Sequence, residues 1–198
     1  MTSPDAMTDA DQAELSHFEV LVASRRTNLR MDLQRPVPME LIERLCAAAV
    51  WAPNHKRTWP WRFAMFKGDG RAHLGQVIGD EMARAGGFDA EKIAKNRTKY
   101  GRAPMVLAVG SVLGDRPSVT AENRDAVAAA IENLLLAATA AGLGSYWSSC
   151  SPELWPVVSE LCGFETGTAV IGLIYLGWLI GDVPVPERPV PELRIISD

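Results

Sequence analysis

The hydrophobic pattern of the chain divides it into helices and strands with few ambiguous stretches. From residue 11, Leu15, Phe18, Leu21 and Val22 share one helical face, and the stretch runs into the cationic pair Arg25-Arg26. Pro36-Val37-Pro38 opens a second helix, with Leu41, Ile42, Leu45, Cys46 and Ala49 as its apolar stripe and Pro53 as its stop. Residues 61–67 alternate as a strand does, and Gly68-Asp69-Gly70 turns the chain. A helix is predicted over 71–85, closed by Gly86-Gly87, and a charged one over 90–99. The apolar run 104–111, bounded by turn residues, reads as a buried strand.

Residues 122–141 form the longest helical stretch. Val127, Ala130, Ile131, Leu134, Leu135 and Ala138 nearly encircle it, which marks either a central core helix or a subunit interface. Strands over 145–149 and 169–176 flank a helix over 152–162. The proline-rich stretch 183–191 cannot form a packed element and is predicted to be an extended arm. It ends in residues 193–196, enough for one short terminal strand. The first ten residues are polar and predicted to be disordered, which leaves 11–198 as one domain. Helices and strands intermix without regular βαβ spacing, so the class is α+β.

Composition narrows the function. A net charge of −4 and 22% charged residues carry no basic footprint, which argues against nucleic-acid binding. The N-terminus is acidic where a secretory signal would be basic and then apolar, and no apolar run approaches the length of a membrane span. Cys46, Cys150 and Cys162 are an odd set without CxxC spacing and read as buried free thiols. A cytoplasmic protein with no membrane partner is expected. His17, His55 and His73 are scattered, and no phosphate-loop, HExxH or GxSxG motif occurs, so no metal site is expected.

Three constellations could carry chemistry. Ser24-Arg25-Arg26-Thr27-Asn28-Leu29-Arg30 crowds guanidiniums that repel one another unless an anion sits among them, and the Thr27 hydroxyl adds a neutral donor. The same pattern is also what a solvated helix C-terminus carries. Ala52-Pro53-Asn54-His55-Lys56-Arg57-Thr58-Trp59-Pro60-Trp61 packs prolines, cations and tryptophans between a helix and a strand, the composition of a binding loop for a planar anion. Gly142-Leu143-Gly144-Ser145-Tyr146-Trp147-Ser148-Ser149 could bring backbone close to a ligand, or simply cap a helix and enter a strand.

In order and approximate spacing, these segments resemble the nitroreductase family. Residues 25–30, RRTNLR, resemble its RRS-x-x-R element; residues 52–61, APNHKRTWPW, resemble its AP-x-x-x-x-x-QPW element; and GLGSYWSS and GLIYLGW match its later glycine-bearing segments. The likeness is greatest to a compact bacterial subgroup of NAD(P)H nitroreductases, which carries APDHK where this chain has Ala52-Pro53-Asn54-His55-Lys56. It covers roughly residues 18–189.

The resemblance implies a mixed sheet flanked by helices, in an intertwined homodimer whose C-terminal arm crosses to the partner and which binds FMN at the subunit interface. It implies FMN contacts from Arg25, Arg26 and Thr27, from Trp51 and His55, from Trp147, Ser148 and Ser149, and from Arg188 in the arm. No protein residue is implied as catalytic, since the flavin carries the chemistry. The implied reaction is ping-pong transfer from NADH or NADPH, through FMN, to a small aromatic acceptor such as a nitroaromatic or quinone. Trp59 stands where the family usually has Gln, and Trp51 and Ser148 stand where it often has Arg. Those departures motivate the alternative of a non-catalytic FMN-binding or sensor protein of the same fold.

Overall fold

A computed structural model describes residues 7–197. Its sheet has the order β1-β2-β4-β3, with β1 at Trp61–Lys67, β2 at Met105–Ser111, β3 at Leu143–Ser148 and β4 at Ala169–Trp178. All three strand pairings are antiparallel. The only parallel pairing among the described residues is an isolated bridge between Thr27 and Ser145.

Strand alternation assigns side chains to two cores, one on each face of the sheet. Leu107 and Val109 of β2 and Ile174 and Leu176 of β4 point to one face, where α2 (Met39–Ala49) and α5 (Pro117–Ala140) cover them. Val106 and Ala108, with Leu173 and Tyr175, point to the other. There α3 (Asp69–Ala85), α4 (Ala90–Thr98) and α6 (Trp155–Leu161) close the layer. Every residue of β2 is buried, as a strand covered on both sides requires.

The apolar helix 122–141 resolves as core. It begins earlier than its apolar pattern, because Pro117 at its first turn follows an extended Arg116, a geometry proline is pre-set for. Nine of the 24 residues of α5 are buried, and six of them, from Val127 to Ala138, pack on α2 and the sheet. α1 (Asp9–Ser24) is the opposite case, with no buried residue at all and Phe18 54% exposed.

α1 also starts at Asp9 rather than 11. Thr8 and Asp11 form a reciprocal capping box, with Asp11 N donating to Thr8 Oγ1 at 3.2 Å and Thr8 N to Asp11 Oδ2 at 3.1 Å. Residues 1–6 of the stretch expected to be disordered lie outside the described residues. The expected helix 152–162 splits into a 3₁₀ turn, Pro152–Leu154, followed by α6.

The short strand expected at 193–196 does not form within one chain. After β4 the backbone pairs with the segment before α2, through Asp32 N to Trp178 O at 2.8 Å and Ile180 N to Arg30 O at 2.8 Å. It then turns away at Gly181, whose φ is +71°. Beyond that point the arm is extended and pairs with no strand of its own chain, and Ile196 is 94% exposed. Among the described residues no helix is long and apolar enough to cross a membrane.

Candidate functional site

The first cluster is assembled where the chain leaves α1. Arg25 is extended (φ −60°, ψ 130°), Thr27 bridges to Ser145, and Asn28 N donates to Ser145 O at 2.9 Å. The segment therefore lies along the edge of β3 as an added strand would, and its side chains alternate. Arg25 and Thr27 face a cavity of about 290 Å³ that Glu132 and Leu135 of α5, Ser145 and Trp147 of β3, and Ser149 complete. Arg26 turns the other way. Its Nη1 donates to Arg25 O at 2.6 Å, and its side chain lines a small pocket with Asn28, Gly142 and Gly144.

Arg25 is held within the cavity by Glu132, with Nε to Oε1 at 3.2 Å. Trp147 forms a wall. Its Nε1 donates to Ile171 O at 3.3 Å, and the ring lies across Gly172, where a Cβ would come within 2.4 Å of that nitrogen. Ser148 alternates to the opposite side and does not line the cavity. The glycines of the GxG have internal reasons: Gly142 takes φ +79° just past the end of α5, and a Cβ on Gly144 would meet Leu179 at 2.3 Å. Arg188 lies on a second cavity of about 530 Å³, which it shares with Arg25, Arg26, Glu132 and the apolar residues of α1.

The second cluster is the loop after α2. Lys56, Arg57 and Trp59 all have positive φ (59°, 54° and 48°), a left-handed conformation that costs roughly 1–2 kcal/mol for each non-glycine residue. A polar network holds them there. Asn54 Nδ2 donates to Thr58 Oγ1 at 2.9 Å, and Asn54 Oδ1 accepts from Trp59 N at 2.9 Å. Thr58 Oγ1 donates to Asn123 Oδ1 at 2.6 Å, and Asn123 Nδ2 donates to Val112 O at 3.2 Å. Asn123 is only 2% exposed, so this network anchors the loop in the interior.

Outside that anchor, His55 Nδ1 lies 2.8 Å from Glu122 Oε2, and this hydrogen bond holds the Glu122 carboxyl below the usual carboxylate range. Trp51 projects from the loop's start and is 86% exposed. Both anchors of the loop, Glu122 and Asn123, sit near the N-terminal end of α5. The ten residues from Glu122 to Glu132 span about 15 Å of helix at 1.5 Å per residue.

Arg25, Thr27, Trp147 and Ser149 thus converge in one cavity, Arg26 and Arg188 border its neighbours, and Trp51 and His55 stand apart on the same chain. Glu122, Asn123 and Glu132 are not among the site residues that the sequence suggests, and Asn54 and Thr58 enter it only as members of the 52–61 segment. Glu132 had one signal, as the sole charged residue between positions 126 and 138. The thiols are not candidates: burial raises Cys46 to about 11 and Cys150 and Cys162 to about 12, which leaves them protonated at neutral pH.

Known proteins resemble this chain in sequence and in fold. YdjA of Escherichia coli (strain K12), named "Putative NAD(P)H nitroreductase", is 31% identical over 159 residues, covering 79% of this chain and 85% of YdjA. A nitroreductase-like family protein from Bacillus cereus superposes over the whole of both chains with a TM-score of 0.76 at 24% identity. A nitroreductase from Bacteroides fragilis, solved with bound FMN, gives a TM-score of 0.69 at 21% identity, covering 90% of this chain and 98% of that one. At those identities the two structures speak for the fold alone. Residues 22–178 match the Nitroreductase family, and the chain belongs to it.

Proposed function

We propose that this chain is an FMN-dependent NAD(P)H oxidoreductase that works as a cytoplasmic homodimer. The observation that carries the reading is the convergence of one guanidinium and three hydroxyls, from Arg25, Thr27, Ser145 and Ser149, on a cavity walled by Trp147. That donor set suits a phosphate followed by a polyol, and the indole edge suits a flat ring beyond them. Bound there, FMN would supply the redox chemistry, with NADH or NADPH as donor and a nitroaromatic or quinone-like acceptor in ping-pong order.

The chain's own residues bind and orient. Arg25 presents its fork to the phosphate, and Thr27 and Ser149 donate beside it. Arg188, across the adjoining cavity, adds a second cation. A cavity of about 290 Å³ lies at the lower limit for a small-ligand site, so a second surface has to complete it. A second copy of the chain fits that need. α1 buries none of its apolar residues within one chain, and Val185, Val190, Leu193, Ile195 and Ile196 of the arm are exposed. In such a dimer Trp51 and His55, remote from their own cavity, approach the flavin held by the partner.

Reconstitution with FMN followed by anaerobic addition of NADH or NADPH tests this, with bleaching of the oxidised flavin spectrum expected. A flavin that binds and stays oxidised with both dinucleotides would favour the non-catalytic flavin-binding alternative. Sedimentation should give a dimer at micromolar concentration; a stable monomer that binds FMN fully would remove the interface from the proposal.

A further inference from the structure

A carboxylate in a cavity built to receive a phosphate calls for explanation, because at close range the two repel. Glu132 is such a group. It is the one acid among the residues lining the cavity and the only charged residue on the apolar stretch of α5. Its Oε1 lies 3.2 Å from Nε of Arg25, the inner nitrogen of the guanidinium. The contact is an ion pair rather than a hydrogen bond, so it draws the guanidinium into the cavity and leaves its N–H groups available to a bidentate acceptor.

Arg25 also has a competing place to go. It is the C-cap residue of α1, with its backbone N–H bonded to Leu21 O, so the terminal carbonyls of that helix lie within its neighbourhood. Cationic side chains are drawn to helix C-termini by those carbonyls and by the helix dipole. Glu132, on α5, offers the guanidinium a partner other than those carbonyls.

We propose that Glu132 is a positioning residue for cofactor binding, whose carboxylate pairs with Arg25 so that the guanidinium fork faces the 5′-phosphate of FMN. The inference rests on the FMN reading above. It assigns Glu132 to recognition of the phosphate and to no other part of the flavin.

Equilibrium binding of FMN and of riboflavin, which lacks the phosphate, tests it through quenching of flavin fluorescence. The proteins compared are wild type, E132Q, E132A, R25A and the E132A/R25A double variant, each with its melting curve recorded. Wild type should prefer FMN. E132A should reduce that preference roughly tenfold, the equivalent of one charge-assisted hydrogen bond, with riboflavin affinity unchanged. E132Q keeps the shape of the side chain but removes the charge of the ion pair, and should lose the preference as E132A does. In the R25A background E132A should have no further effect on the preference, since the coupling runs through that arginine.

An undiminished FMN preference in E132A, an equal loss of both flavins, tighter FMN binding by both Glu132 variants, or a full effect of E132A without Arg25 would each overturn the assignment. Wild type that binds neither flavin would bring down the FMN reading itself, and this inference with it.

Discussion

The two parts of the candidate site are built by opposite means. The cavity beside β3 uses regular backbone: an extended segment bridged to a strand, side chains alternating from it, and a glutamate and a leucine from the middle of a helix. None of its residues has a positive φ. The loop over the N-terminal end of α5 has three left-handed non-glycine residues within four positions, kept there by Asn54, Thr58 and buried Asn123. The cavity derives its geometry from secondary structure and can devote its polar groups to a ligand. The loop devotes its polar groups to its own backbone, and what it offers outward is His55 and two exposed tryptophans. A substitution in the first region should therefore act on binding, and one in the Asn54–Thr58–Asn123 network of the second on stability.

The largest effect should come from R25A. Loss of one charge-assisted hydrogen bond, about 1.5–3 kcal/mol, should weaken FMN roughly tenfold to a hundredfold with little change in melting temperature. Flavin titration and calorimetry together check it. A large drop in melting temperature would show that the cavity is structural after all, and the contrast would fail.

N123A should do the converse. It removes the acceptor of the Thr58 O–H and the donor to the Val112 carbonyl, both partly buried, at a cost of about 1–3 kcal/mol. For a chain of this size that lowers the melting temperature by roughly 2–4 °C per kcal/mol. Weaker FMN binding with unaltered melting would instead put the network in the binding site.

R57G sharpens the contrast with a smaller effect of the other sign. Glycine removes the left-handed penalty at φ 54° but adds unfolded-state entropy, so a net gain below about 1 kcal/mol is expected in denaturant titration. A loss of stability would show that the loop is not strained at that position.

The smallest effect concerns acid. The Glu122 carboxyl is held below its ordinary value by His55, so the contribution of this exposed pair is present above about pH 4.5 and fades as pH falls through the lowered value. Tryptophan fluorescence of the loop should shift over that acidic range in wild type and lose the shift in E122Q. An identical titration in both would place the acid response elsewhere.

Much of the fold was legible because local pattern and local structure agreed. The strand at Trp61–Lys67 was read to the residue, and α3, α4, β2 and β4 to within two residues at each end, since glycines, prolines and alternation mark their limits. α5 was read five residues short, because its first turns are polar and exposed and resemble a loop. Arg25, Arg26 and Thr27 stood out as candidate anion ligands from type and spacing, which is chemistry that composition alone can express.

What the sequence determined by itself, then, was the succession of elements and the residue types able to meet a phosphate and a flat ring. The division between Arg25 and Arg26 was decided by the bridge to β3, since alternation becomes a direction in space only once the strand beside it is in place. The partnership of Asn54 and Thr58 with Asn123, and of Arg25 with Glu132, joins residues some 65 to 107 positions apart along the chain. Periodicity has a range of one helix or one strand and carries no record of which elements will meet. The same limit explains α1 and α5, both apolar by pattern. One is the core and the other is bare, because burial depends on what the rest of the chain, or a second chain, places against each face.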